Sequence, residues 1–226
     1  LSIRRQRQMC IRDRCITVLN GMDTELSPSE PSGSGTAATD TADIKPSSKG
    51  SPYKFYFERL TPVEKRVYNA IIERIYDMPE RIAVPKIDGK ELDNVFSALL
   101  FDNPDLFFLG RKCAVETRMW LTYFSVDYIV DKADIADMRE RLDRECEAFE
   151  QTLTDPGNQW RTELEIHDHV IDRCEYHDPE GDLIYSSSYG ALVDGRAACE
   201  GYSKAVKLLL DRAGIAYELN TYPVDE

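Results

Sequence analysis

The sequence predicts a mixed α+β protein, because amphipathic helical patterns and a β-rich segment occur in the same chain. Apolar residues recur at helical spacing in several stretches between residues 62 and 213. Residues 117–130 are instead rich in aromatic and β-branched side chains, which favour a strand. Apolar residues make up 42% of the 226 residues, so a globular core is expected.

The first 52 residues are not expected to join that core. Residues 1–14 contain five arginines and resemble a translated sequencing adapter, so they are excluded from the fold prediction. Residues 23–52 are rich in Ser, Pro, Gly and Thr and poor in large apolar side chains, which predicts a flexible tether. If the adapter interpretation is correct, the native N-terminus and any signal peptide or lipid anchor are lost.

Residues 53–155 are predicted to form a first unit, a preamble of helices and a strand. Aromatic residues at every second position of 53–57 favour a short extended segment. Thr61 and Glu64 form a capping-box pattern with a proline at the first helical position. This pattern predicts a helix over residues 62–78.

Two further helices are predicted in the preamble. The first covers residues 90–101 and ends at Asn103-Pro104, because the residue before a proline disfavours helical geometry. The second is a long charged helix over 132–153 with one narrow apolar seam. We expect it to cover the core, and a partner-binding coiled coil is the alternative. The Asp-Pro-Gly-Asn sequence at 155–158 then marks a domain boundary.

The region after the boundary is centred on Cys199. Apolar spacing predicts an amphipathic helix that starts near Cys199 and is stopped by Gly214, with a turn at Asp194-Gly195 just upstream. Cys199 is then expected in the first helical turn, where unpaired N–H groups and the helix dipole favour a thiolate. A thiolate is a nucleophile near neutral pH. The alternative is a small buried core cysteine.

The three histidines lie close together in the sequence and raise the question of a metal site. We predict none, because residues two apart on a helix over 158–174 point to different faces. His167 is expected to pack beside the core and to bond locally, and His177 to be exposed in a turn; a catalytic or supporting role for a histidine is the alternative. The predicted buried stripe of this helix consists of Trp160, Leu164, His167, Ile171 and Cys174.

Composition excludes several classes of function. The net charge of −13 argues against binding nucleic acid or an anionic membrane through bulk charge. No run of 18 apolar residues occurs, so no membrane span is expected. The six cysteines show no CxxC spacing, which argues against a metal or disulfide framework. We expect no cofactor.

The segment from Tyr189 to Ala205 carries a family resemblance. Its sequence, Tyr-Gly-Ala-Leu-Val-Asp-Gly-Arg-Ala-Ala-Cys-Glu-Gly-Tyr-Ser-Lys-Ala, resembles the nucleophile motif of the bacterial transglutaminase-like superfamily, whose fold is similar to that of papain-like cysteine peptidases. Residues 166–170 and 175–178 resemble that family's preceding helix and turn. The resemblance covers residues 158–222, and 55–155 more loosely.

The resemblance implies that residues 156–226 are the first half of a papain-like core. In the family, a His and then an Asp follow the nucleophile several strands later. No His follows His177 in this sequence. The chain is therefore expected to be a fragment that is truncated before the catalytic His and Asp and is inactive as it stands.

The resemblance also implies a function. Cys199 would be the nucleophile of acyl transfer or hydrolysis on protein or peptide amides, cell-wall peptides included, in an extracellular or surface location. Protease, amidase and cross-linking activities all remain open. A binding module without catalysis is one alternative, and a structural or adhesin-like protein that interacts through residues 55–155 is another. The oxyanion and substrate side would comprise Tyr189, Gly190, Glu200, Gly201 and Tyr202.

Overall fold

The computed structural model describes residues 44–119, 121–178 and 181–216, and it shows the predicted α+β fold. The adapter-like residues 1–14, most of the predicted tether, Trp120 of the predicted strand, and the end of the predicted core from residue 217 onward lie outside the described residues.

Seven helices and five strands follow along the described residues, with a single 3₁₀ turn at Leu183–Ser186. The helices are α1 (Phe55–Glu58), α2 (Pro62–Ile75), α3 (Gly89–Asp102), α4 (Ile135–Glu150), α5 (Gln159–Arg173), α6 (Ser188–Leu192) and α7 (Cys199–Arg212). The strands are β1 (Ile82–Val84), β2 (Leu109–Arg118), β3 (Leu121–Tyr128), β4 (Glu175–Tyr176) and β5 (Arg196–Ala197).

A three-stranded antiparallel sheet has the order β1-β3-β2, with β2 and β3 joined as a hairpin. The prediction over 117–130 located β3, but it missed β1 and nearly all of β2. Strand β2 carries charged side chains on both faces and lies at the edge of the sheet, so it lacks the alternating pattern that identifies a half-buried strand. β4 and β5 form a separate parallel pair.

The helix limits follow from local capping. The Thr61 hydroxyl accepts the Glu64 N–H, and the Glu64 carboxylate accepts the Thr61 N–H at 2.7 Å, which confirms the predicted capping box of α2. Helix α2 ends at Ile75, slightly before the predicted limit, and Met78 adopts a left-handed φ of 48°. Helix α3 ends before Asn103-Pro104, as predicted.

The extended segment predicted at 53–57 is wrong, because residues Phe55–Glu58 form one helical turn. The buried carboxylate of Asp102 accepts the backbone N–H groups of Tyr56 and Phe57, each at 2.9 Å. These are N–H groups at the start of a helix, which have no partner within the helix itself. A side chain 46 positions away from Tyr56 therefore stabilises this turn.

This contact predicts a specific pH dependence of stability. Burial raises the pKa of Asp102 to about 6, although the N–H groups of Tyr56 and Phe57 oppose the shift. In the unfolded chain the pKa of an aspartate is about 3.9, so the folded protein keeps Asp102 protonated to a higher pH than the unfolded chain does. Preferential protonation of Asp102 in the folded state contributes about 3 kcal/mol to the free energy of unfolding. This contribution is complete below about pH 4 and is lost as the pH rises through about 6.

Urea unfolding of the wild type and of Asp102→Asn between pH 4 and 7 tests this expectation. The free energy of unfolding should fall with rising pH more steeply in the wild type than in the variant, which has no proton to lose at this position. Parallel pH profiles for the two proteins would show that Asp102 titrates normally in the fold.

Residues 44–54, at the end of the predicted tether, lie against the helices. The Ser47 N–H donates to the Asn69 side chain at 2.9 Å, and the Ser51 N–H donates to the Asn103 side chain at 3.1 Å. The buried Lys54 ammonium donates to the carbonyls of Ser47 and Lys49. This segment is therefore attached to α2 and to the end of α3.

Helix α4 has the predicted apolar seam, with Ile135, Leu142, Cys146 and Phe149 all buried. Its other face is exposed and charged, as expected of a helix that covers the core. The hydrophobic core is continuous from Phe57 to Ile215 and includes residues on both sides of the 155–158 loop. Division of the chain into two domains at this loop stays a prediction.

The buried stripe predicted for α5 is wrong. Trp160 is 73% exposed and Leu164 is 47% exposed, whereas the buried face of the helix carries Thr162, Ile166 and Val170. The helix has two apolar faces, and helical periodicity alone does not show which of them packs against the core. Of the predicted stripe, Cys174 is buried.

Candidate active site

Cys199 is the first residue of α7, as predicted, and its side chain is half-buried. The helix continues for 14 residues with Ala205, Leu209 and Leu210 in the core, and Gly214 follows its end with a left-handed φ of 73°. The N-cap residue is Ala198, whose methyl group cannot accept the N–H groups of the first turn. The thiol therefore lies at a helix start that its own N-cap side chain leaves uncapped.

Two glycines pack closely against the 3₁₀ turn, Gly201 from α7 and Gly190 from α6. A Cβ at Gly201 would lie 2.6 Å from the Tyr185 carbonyl oxygen, and a Cβ at Gly190 would lie 2.5 Å from that of Ile184. The Tyr185 carbonyl also accepts the Ala198 N–H at 2.8 Å. Both glycines of the motif thus permit close backbone packing. Their assignment to the oxyanion and substrate side stays a prediction.

The β4–β5 pair joins the histidine segment to the cysteine helix. Gly195 has a left-handed φ of 67°, which confirms the predicted turn, and the Glu175 N–H donates to its carbonyl at 2.8 Å. The His177 N–H donates to the Ala197 carbonyl at 2.9 Å. The exposed His177 ring packs edge-on against Tyr185, with centroids 4.4 Å apart. The backbone of His177 therefore lies beside the residues that lead into α7.

Glu200 forms ion pairs with two basic side chains. Its carboxylate accepts from Arg111 Nη2 at 2.8 Å and pairs with Lys204 Nζ at 2.8 Å. Partial burial disfavours its ionised form, but the attraction of Lys204 and Arg111 outweighs this effect and lowers the pKa of Glu200. Glu200 is therefore ionised at neutral pH and links β2 to α7.

A small cleft, partly open to solvent, lies beside this charged group. Its polar lining comes from Arg111, Ser186, Ser187, Glu200 and Lys204. Its apolar wall comes from Leu100, Leu106, Phe107, Leu109 and Leu183. Of the predicted site residues, Glu200 lines this cleft. The neighbouring Cys199 is not among the described residues that line it.

The two tyrosines of the motif are packed into the fold. Tyr189 is buried and lies against Phe107, with ring centroids 5.1 Å apart. Burial raises the pKa of Tyr189, so its hydroxyl stays protonated at neutral pH. The Tyr202 hydroxyl donates to the Cys174 carbonyl and so links α7 to the end of α5. Both contacts are structural, and a substrate role for these side chains stays a prediction.

The other two histidines lie on α5. His167 bonds locally, with Nδ1 3.1 Å from the Asp168 carboxylate, but its side chain is half-exposed. The ring of His169 packs on Phe149 of α4, with centroids 4.3 Å apart, and burial lowers the pKa of His169. No three His, Cys, Asp or Glu side chains converge on a metal-binding geometry within the part of the chain that the structure describes.

Sequence reasoning missed Arg111 and Ser186, which belong to the cleft. Arg111 lies on β2, 89 positions from Glu200, and no spacing rule relates the two residues. The sequence signal that could have pointed to such a contact is the acidic residue directly after Cys199, which requires a cation when half-buried.

The chain matches no protein-family model, and no curated protein is similar to it at a significant level. None of the described helices is long and apolar enough to cross a membrane. Geometry and chemistry, rather than relatedness, therefore support the functional proposal.

Proposed function

We propose that Cys199 is the nucleophile of a cysteine-dependent acyl transfer or hydrolysis on protein or peptide amides, in a transglutaminase-like fold similar to papain-like peptidases. One observation supports this most directly: the half-buried thiol is at the first residue of a 14-residue helix. The helix dipole and the first-turn N–H groups favour a thiolate at such a position. A cysteine in the middle of the helix or in the apolar core would lack both effects.

The chemistry then follows from the thiolate. The Cys199 sulfur attacks the carbonyl carbon of an amide, and a thioester forms as the C–N bond breaks and the nitrogen takes a proton from solvent to leave as ammonia or an amine. Water converts the thioester to a carboxylic acid, or an amine accepts the acyl group. In either case the thiolate is regenerated and one proton returns to solvent. The first-turn N–H groups of Glu200 and Gly201 are suited to stabilise the oxyanion of the intermediate.

The property assigned to Cys199 is a reactive thiolate, and complete catalytic turnover by this chain is not assigned to it. In the family that the motif resembles, a His oriented by an Asp accepts the thiol proton, and no His follows His177 here. Reactivity of the thiol can be measured without that partner, because the helix start acts on the ground-state charge of the sulfur.

Alkylation by iodoacetamide tests the proposal. We expect Cys199 to reach its half-maximal rate below about pH 8.5, the value for an unperturbed thiol. Cys113 is a matched internal control, because its side chain is also half-buried. Burial, followed by repulsion from Asp93, raises the pKa of Cys113 to about 12, so it should react slowly at pH 7–8. Mass spectrometry of the alkylated peptides measures both rates in one sample.

The outcome that contradicts the proposal is a Cys199 rate that follows the pH profile of a free thiol. Equal rates for Cys199 and Cys113 at pH 7 would contradict it as well, because both side chains are partly exposed and the proposal assigns a thiolate to Cys199 alone of the two. Substitution of Cys10 and Cys15 by serine removes the thiols outside the described residues from the measurement.

A second candidate function is interaction without catalysis, and the β2–β3 hairpin favours it. Met119 at its tip is 81% exposed and Leu121 is 51% exposed. Contiguous exposed apolar surface marks interaction sites. This hairpin lies in residues 55–155, which the adhesin-like alternative uses for its contact. An unreactive Cys199 in the alkylation experiment would favour this function over the first.

A further inference from the structure

Strand β2 forms an edge of the three-stranded sheet, because the strand order is β1-β3-β2. It pairs with β3 through residues 113–118, and Arg118 faces Leu121 across a two-residue connection. In a hairpin of this kind the pair that flanks the turn is hydrogen-bonded, and hydrogen-bonded and non-hydrogen-bonded pairs alternate from there. The hydroxyls of Thr117 and Thr122 lie 3.1 Å apart, as expected of a non-hydrogen-bonded pair, in which the side chains are closer.

Three residues of β2 therefore direct their backbone groups away from β3: Cys113, Val115 and Thr117. Each presents one N–H donor and one C=O acceptor at the free edge. Among the described residues, neither another strand nor another backbone group pairs with this edge. Such an edge is a template for one more strand, and extended peptides bind to proteins in this way.

The exposed face of the sheet along this edge is basic. Lys112 is exposed and forms no ion pair within the described part of the chain. At the other end of the edge, Arg118 and Arg81 share the carboxylate of Glu116, with N–O distances of 2.7 and 3.6 Å. The exposed Asp127 of β3 lies on the same face. Three cations and two carboxylates give these groups a net charge of +1, in a chain whose net charge is −13.

The other face of the edge is apolar. Cys113 and Val115 are half-buried and pack against the core. Asp93 acts on this face, because its repulsion contributes to the raised pKa of Cys113. Acidic side chains of an added strand are therefore favoured on the exposed face, and small apolar ones on the face with Val115.

Charge also decides between the possible occupants of the edge. A second copy of this chain would bring two basic edges together, and like charges across a sheet are destabilising. An acidic strand meets complementary charge at both ends of the edge instead. Lys112 and Arg118 are six positions apart, which is about 20 Å along a strand.

We propose that the free edge of β2 at residues 113–118 binds an extended acidic segment of another protein as a fourth strand of the sheet. The three outward-facing residues exchange backbone hydrogen bonds with this segment. Its two acidic residues, six positions apart, lie near Lys112 and near Arg118. The side chains on its other face cover Val115.

Two seven-residue peptides with blocked ends, titrated into the full chain, test the proposal. One is Glu-Thr-Ser-Val-Ser-Thr-Glu, and the other has lysine at both ends. Each peptide reads the same in both directions, so its charged residues reach both ends of the edge whichever way it binds. We expect the glutamate peptide to bind at least about tenfold more tightly, since two surface contacts change from attractive to repulsive in the lysine peptide. Fluorescence anisotropy of dye-labelled peptides measures both affinities.

N-methylation shows whether the peptide is held through its backbone. Successive N–H groups of a strand point to opposite edges, so one of two neighbouring N–H groups faces β2 and the other faces away. A methyl group on the nitrogen of the central valine and one on the nitrogen of the preceding serine should therefore have different effects. We expect one glutamate peptide to lose at least about tenfold in affinity and the other to keep it. Equal affinities of the two methylated peptides would exclude strand addition.

A charge reversal on the protein locates the binding edge. Lys112→Glu should reduce the preference for the glutamate peptide. The matched control is Lys86→Glu, because Lys86 is exposed, follows β1 and undergoes the same change of charge. It should keep the preference of the wild type. Circular dichroism establishes that each variant is folded, and Arg118→Glu replaces Lys112→Glu if the latter does not fold.

Three results would overturn the proposal. The first is a wild type that binds the two peptides equally or binds neither. The second is an equal preference for the glutamate peptide in Lys112→Glu and Lys86→Glu. The third is a wild-type dimer in sedimentation that excess glutamate peptide dissociates, because a second copy would then occupy this edge. None of these results bears on the reactivity of Cys199, which the alkylation experiment measures separately.

Discussion

Replacing Gly201 by alanine is expected to destabilise the protein by roughly 2 kcal/mol or more. The new Cβ would lie 2.6 Å from the Tyr185 carbonyl oxygen, 2.8 Å from the Ala197 Cβ and 3.0 Å from the Ser187 carbonyl oxygen. Two of these atoms belong to the backbone, so the 3₁₀ turn has to move away from α7. Alanine gains about 1 kcal/mol over glycine in helix propensity, which offsets only part of this cost.

Gly89→Ala is the matched control for this prediction. Gly89 is the first residue of α3, and a Cβ there meets no atom within 4 Å. We expect its free energy of unfolding to be unchanged or higher by up to about 1 kcal/mol. Urea denaturation followed by circular dichroism measures both variants. Equal stability of Gly201→Ala and the wild type would show that the turn and the helix do not pack as closely as described.

The second large effect is expected from Lys207→Met, at about 3–5 kcal/mol of destabilisation. Lys207 is buried and its ammonium lies 3.0 and 3.1 Å from the two Asp211 carboxylate oxygens and 3.4 Å from the Ser51 hydroxyl. Removal of the cation leaves a buried carboxylate without its counter-charge. Burial raises the pKa of Asp211, and Lys207 opposes that shift. Without Lys207 the carboxyl holds its proton to higher pH, so the destabilisation should be smaller in acid.

Two further variants define the origin of this effect. The double variant Lys207→Met/Asp211→Leu should recover much of the lost stability, because it leaves no unpaired charge in the core. Arg144→Met is the control: Arg144 and Glu140 have the same i,i+4 spacing on a helix but are exposed. Its cost should be below about 1 kcal/mol. A similar cost for Lys207→Met would show that the buried pair contributes no more than a surface one.

Helices α2, α4 and α7 could be predicted because their determinants are local. Thr61 and Glu64 of α2 are three positions apart, and the apolar seam of α4 repeats within one helix. The position of Cys199 at a helix start follows in the same way from the apolar spacing after it and the stop at Gly214. Each of these features depends on residues within a few turns of one another.

The errors share a different origin. Helix α1 forms around the Asp102 carboxylate, which comes from the end of α3. Helix α5 has two apolar faces, and contact with the rest of the core selects the face with Ile166 and Val170 over the one with Trp160. Local propensity and periodicity carry no information about either tertiary contact, so a better analysis of the pattern would not have corrected these two predictions.

By itself, the sequence determined the α+β class, the positions of α2, α3 and α4 and the place of Cys199 at the start of its helix. Only the tertiary structure decided what surrounds that helix start: the close approach at Gly201, and the Arg111 side chain that reaches Glu200 from a distant strand. The physical reason is the sequence separation of the residues in contact. Hydrogen bonds within a helix and caps join residues three or four apart, whereas the cleft forms only when burial of apolar surface brings β2 against α7.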